Sequence, residues 1–220
     1  MSKAQTKQTN QEVIDLHPAY ETIQARLGAI APVGSLHLDL PFTFSAIFSQ
    51  LFLCDTPSYE LSKGNFGATR SNWTYHTAIA ISQTCKFLNL CCKFEASGRR
   101  DAVIQARDDS QTDILFAEWE WDYLDVFGKC KELEKLKDSC KESKTGEAFL
   151  LTYCPEKDFV DYLQRIADYW ISSVKKIKNP PALFLHTVVF EEASYCRNFD
   201  RLRTVEIAPE GISVWNDKLF

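Results

Sequence analysis

Long apolar runs are missing from this chain of 220 residues. The longest, Phe42 to Cys54, is interrupted by Thr43, Ser45, Ser49 and Gln50 and falls short of the roughly 20 residues that a spanning helix needs. No membrane segment is expected. Met1 to Gln11 is polar and has no apolar stretch of the kind a secretory signal carries, which predicts a cytoplasmic protein with residues 1–10 disordered. Glycine is sparse and no glycine-rich phosphate loop occurs, so nothing indicates nucleotide binding of that type. There is no CxxC pair, and His17, His37, His76 and His186 stand at no ligand spacing, so a structural zinc site is not expected. Without a visible Ser-His-Asp or Cys-His arrangement, nucleophilic catalysis has no positive support.

Eight cysteines are present, mostly inside apolar periodic segments, where a thiol behaves as a small core residue. All are expected to be reduced. Hydrophobic residues make up 45% and charged residues 25%, ordinary values that predict one globular domain over 1–220, with no internal repeat or linker. The net charge of -5 does not advertise a nucleic-acid binder. Basic residues nevertheless cluster at Arg99, Arg100 and Arg107, at Lys129, Lys131, Lys135, Lys137, Lys141 and Lys144, at Lys175, Lys176 and Lys178, and at Arg197, Arg201 and Arg203. Each cluster also reads as a solvated face.

Gln11 to Ile30 has helical apolar spacing around a kinking Pro18, Pro41 to Cys54 reads as a buried helix, Asp55 to Ala68 as loop and Thr69 to Leu88 as a further helix. The period then changes to alternation. Three strands are predicted at Asn89 to Ala96, Arg99 to Arg107 and Asp113 to Trp121, joined by Ser97-Gly98 and Asp108 to Thr112. A charged helix over Lys129 to Ser143 and a short strand over Ala148 to Tyr153 follow, an order that implies a parallel crossover. Pro155 opens a helix striped by Phe159, Leu163, Ile166, Trp170, Val174 and Ile177. Ala182 to Phe190 is apolar enough for a central strand, and Leu202 to Ala208 with Ile212 to Trp215 complete or edge the sheet.

Alternate residues of a strand share a face, so Ile114, Phe116, Glu118 and Glu120 point one way, and Arg99, Asp101, Val103, Gln105 and Arg107 share a face of the preceding strand. An even-length turn would bring Asp101 to the same side as the glutamates. A loop over Asp108 to Gln111 sets it against Glu118, and one over Asp109 to Thr112 sets it against Glu120. Clustered carboxylates repel and are costly to desolvate, and a divalent cation such as Mg²⁺ or Mn²⁺ relieves both penalties. The alternation also describes an amphipathic strand whose glutamates face water, with Trp119 and Trp121 turned inward.

Gly98-Arg99-Arg100-Asp101-Ala102-Val103-Ile104 followed by Ile114-Leu115-Phe116-Ala117-Glu118-Trp119-Glu120 resembles the PD-(D/E)xK nucleases of the restriction-endonuclease-like superfamily. The resemblance covers Thr69 to Tyr153 and implies an α/β fold with an αβββαβ core, flanked by N-terminal helices and a C-terminal helix and strands. It implies a metal-dependent endonuclease hydrolysing DNA, with Asp101 and Glu118 as ligands of Mg²⁺ or Mn²⁺. Glu120 stands where the family usually has lysine, as in a minority of its members. Many members add an acidic residue on the preceding helix, which is absent here, leaving Gln83, His76 or Glu60 as accessory candidates. Arg99, Arg100, Lys129 and Lys131 are the candidate nucleic-acid contacts and DNA the expected partner, with RNA and assembly as a homodimer both left open. The alternative is a catalytically inactive nuclease-fold protein that binds nucleic acid or a protein.

Overall fold

The computed structural model describes residues 39–54, 70–96, 100–108, 111–128, 131–143, 146–193 and 196–219. All belong to one compact unit, Leu38–Phe220. The helix expected over Gln11 to Ile30, the loop over Asp55 to Ala68 and the Ser97-Gly98 turn lie outside the described residues. The elements are α1 (Leu40–Cys54), α2 (Arg70–Phe87), β1 (Leu90–Ala96), β2 (Arg100–Ala106), β3 (Asp113–Glu120), α3 (Glu132–Ser143), β4 (Glu147–Pro155), α4 (Phe159–Val174), β5 (Leu183–Ala193), β6 (Cys196–Ala208) and β7 (Gly211–Leu219). The order α2-β1-β2-β3-α3-β4 is the one anticipated from periodicity. Among the described residues no helix is long and apolar enough to cross a membrane.

The seven strands form one mixed sheet in sequential order. β1 to β3 are antiparallel, β3, β4 and β5 are mutually parallel, and β5 to β7 are antiparallel again. Two helical crossovers make the parallel part possible, since parallel neighbours cannot be joined by a tight turn. β4 is buried along nearly its whole length, as a strand covered on both faces must be. Phe149, Leu151 and Tyr153 pack with α1 and α2, while Ala148, Leu150 and Cys154 pack with α3 and α4. The two faces of the sheet are therefore covered by different helix pairs.

Local sequence explains the ends of these elements. Asp39 precedes α1 and its Oδ1 accepts the Phe42 N–H at 3.2 Å, an N-cap, while Pro41 sits in the first turn where its missing N–H costs nothing. α4 buries Phe159, Tyr162, Ile166, Ala167, Trp170 and Val174, and Trp170 Nε1 donates to the Pro181 carbonyl at 3.0 Å. The predicted stripe is thus the packed one, with Leu163 half-buried at its margin. Cys85, Cys91, Cys92, Cys140 and Cys154 are free thiols, as expected.

Polar residues of α1 are used inside the core. His186 on β5 is fully buried, with Nε2 3.0 Å from Ser45 Oγ and Nδ1 3.1 Å from Thr204 Oγ1. Burial pushes its pKa down to about 3, so it is neutral in the fold. The unfolded chain takes up a proton near pH 6.5 that the folded state refuses until about 3, so stability falls as pH drops through that window. His186→Gln should remove this component. Between pH 7 and 4.5 the wild type should lose about 2 kcal/mol more than the variant in urea unfolding, and parallel losses would show that the imidazole is charged inside the fold.

Candidate metal centre

Asp101 and Glu118 come together because β2 and β3 pair in a defined register. Ala102 stands opposite Ala117, Val103 opposite Phe116 and Ile104 opposite Leu115, so continuing the ladder sets Asp101 against Glu118. The Trp119 N–H donates to Asp101 Oδ2 at 2.9 Å and ties the carboxylate to the neighbouring strand. The expected even-length turn is not how the register is reached. Gln105 pairs with Asp113 and the Ala106 N–H donates to the Thr112 carbonyl at 2.9 Å, leaving the odd-length segment 107–111 as the connection. A bulge between Ile104 and Gln105 then shifts the ladder by one residue and restores the parity.

Glu118 lies in the face shared with Val103 and Phe116, under α3. It is 1% exposed, and neither carboxylate oxygen has a hydrogen-bond partner among the described residues. Burial, with Glu132 and Asp101 beside it, pushes its pKa up to about 10, opposed by Lys135. Burial also raises Asp101 to about 6, against the Trp119 N–H, which favours the charged form. The alternative of a solvated glutamate face is not found at Glu118.

The first turns of α3 contribute two groups that strand alternation alone does not reveal. Glu132 is buried and accepts from Lys135 Nζ at 2.7 Å, and the same ammonium stands 3.7 Å from Glu118 Oε2, outside hydrogen-bond reach. α3 buries Glu132, Leu133, Leu136, Ser139 and Cys140. A glutamate at the same helical spacing as Leu136 and Cys140 was the available signal, because a charge within an apolar stripe must meet a partner.

The other candidates are placed elsewhere. Glu120 turns back on the end of its own strand, where Oε1 accepts the N–H groups of Trp121 at 2.7 Å and Asp122 at 3.1 Å. Among the described residues no three His, Cys, Asp or Glu side chains are grouped to hold one ion. His76 packs against Phe52 and Trp73 and lies 2.9 Å from the Phe52 carbonyl oxygen, so it belongs to the core under α1 and α2. Gln83 is carried by α2, which covers the sheet face opposite Glu118, and Glu60 lies outside the described residues. Arg100 is engaged by Glu142 at 2.9 Å, by Ser139 and by the Phe116 ring at 4.9 Å; Lys131 pairs with Glu134 at 3.3 Å. Arg99 and Lys129 are outside the described residues.

Oxygen-only donors on adjacent strands suit a hard cation, and the Glu118 oxygens, which meet the Lys135 ammonium only at 3.7 Å, are acceptors that such a cation would satisfy. The two strand carboxylates have the oxygen chemistry that Mg²⁺ or Mn²⁺ prefers, but among the described residues no third donor of the same kind joins them. No known protein family, curated protein or solved structure matches the chain.

Proposed function

We propose that the chain is a metal-dependent endonuclease of the restriction-endonuclease-like type that hydrolyses DNA phosphodiester bonds. The observation that carries this reading is the meeting of Asp101, Glu118 and Lys135 at the β2-β3-α3 junction, within the order α2-β1-β2-β3-α3-β4. A bound Mg²⁺ or Mn²⁺ would activate water and offset charge on the scissile phosphate. Asp101 and Glu118 would hold it, and the Trp119 N–H keeps Asp101 oriented without help from a mobile side chain. Lys135 supplies, from the helix, the positive charge that the family usually draws from the strand position held here by Glu120. Its ammonium, already shared between Glu132 and Glu118, would orient a phosphate oxygen or the attacking water.

Cleavage of a set of varied DNA substrates with Mg²⁺ or Mn²⁺, together with calorimetric titration of Mn²⁺ into wild type and Glu118→Ala, tests the proposal. Wild type should cleave and bind the ion, and the variant should do neither. A protein that neither cleaves any substrate nor takes up Mn²⁺ refutes it. The second reading, a nuclease-fold protein that binds without cutting, is favoured by the self-bound Glu120 and the deep burial of Glu118. It predicts DNA or protein binding that is unchanged by Glu118→Ala.

A further inference from the structure

α3 and α4 both return antiparallel to the parallel strands they connect, on one face of the sheet, so their C-terminal ends lie side by side. Between them runs a groove of about 760 Å³ lined by Lys137 and Lys141 from α3 and by Lys176 and Lys178 just beyond α4, with Ser173 beside them and Asp138 as the one acid among the described residues. Lys137 reaches Asp138 at 3.5 Å. Lys141, Lys176 and Lys178 have no ion pair among the described residues.

The α3 dipole offsets part of the repulsion at Lys141, which lies in the last turn of that helix. That does not explain why two helices bring their lysines to one groove. Like charges gathered there raise the local affinity for a polyanion far above what a net charge of -5 suggests. Lys137 and Lys141 are one helical turn apart, about 6 Å along the axis, a spacing that lets each meet a different phosphate. Among the described residues the lining contains no arginine and no aromatic ring, so these offer neither bidentate base contacts nor a stacking platform for single-stranded bases.

We infer that this groove binds the phosphate backbone of a DNA duplex without reading its sequence. The choice of DNA among polyanions rests on the nuclease reading above. The groove itself does not, because Lys137 and Lys141 project from the side of α3 turned away from Glu118 and Lys135.

The test is fluorescence anisotropy of short dye-labelled duplexes with the full chain in EDTA, so that binding is read without turnover. Wild type should bind two duplexes of unrelated sequence equally. The variant carrying Lys137→Gln, Lys141→Gln, Lys176→Gln and Lys178→Gln should bind at least about tenfold more weakly, and its salt dependence should fall by roughly 0.9 in log-log slope for each lysine that meets a phosphate. A control with Lys86→Gln and Lys93→Gln should stay within about twofold of wild type, because those lysines lie outside the groove. Circular dichroism and melting of the four-lysine variant establish that it is folded. Equal binding by folded wild type and four-lysine variant overturns the inference, as does wild type that fails to bind duplex or prefers anionic phospholipid vesicles. Binding in EDTA without any cleavage under Mn²⁺ would sink the nuclease reading and leave the groove standing. Cleavage that persists with unaltered binding in the variant would do the reverse.

Discussion

Glu118→Gln should make the protein more stable and less active in one substitution. The carboxyl is 1% exposed with no hydrogen-bond partner among the described residues, and its pKa stands at about 10. In the unfolded chain a glutamate titrates near 4.3. Folded protein therefore holds a proton that the unfolded chain has lost between those values, and stability conferred by the protonated group is complete below about pH 4.3 and declines as pH rises toward 10. Glutamine keeps the shape and has nothing to titrate. At pH 8 the variant should be more stable by about 2–4 kcal/mol in urea unfolding, with the advantage shrinking toward pH 5. Mn²⁺ should reverse the comparison, raising the melting temperature of wild type and leaving that of the variant unmoved, since an ion that binds only the folded state stabilises it. A variant less stable at pH 8 would show that Glu118 is well solvated or paired, and would remove the electrostatic reason for placing a cation there.

Asp101→Asn should separate fold from turnover. The asparagine side-chain oxygen can still accept the Trp119 N–H, so the contact between β2 and β3 survives. What is lost is a charge. If Asp101 holds the ion, cleavage of DNA should fall by about 10²–10³ or more while unfolding stability stays within about 1 kcal/mol of wild type. Loss of turnover with collapse of the fold would point to a structural aspartate, and retained turnover would exclude Asp101 from the centre. Lys135 offers an independent comparison. Lys135→Gln removes the ammonium between Glu118 and Glu132, and should lower turnover and raise the Glu118 pKa further, because Lys135 is the cation that opposes its burial.

The strand carboxylates were legible before any coordinates because strand alternation is local: it places Glu118 on one side whatever else the chain does. Glu120 shares that parity, yet it sits at the last position of β3, where the strand ends and its Oε1 accepts the N–H groups of the next two residues. Its carboxylate caps them, and sequence spacing cannot foresee where a ladder stops. The pairing of Asp101 with Glu118 was one of two registers open to the sequence. The bulge at Ile104/Gln105 selected it, a choice made by cross-strand packing that no turn motif announced.

The sequence by itself determined the elements from α1 through β4, the parallel crossover after the meander, the buried stripe of α4 and the strand face that carries Glu118, because each follows from periodicity over neighbouring residues. Only the tertiary structure decided which face α2 covers, and with it the separation of His76 and Gln83 from the carboxylates. It also decided that Lys135 and Glu132 stand over Glu118, and that the lysines of α3 and α4 line one groove. These are contacts between residues far apart in the chain. They depend on how helices cross the sheet, a geometry fixed by packing of whole faces and carried by no single segment.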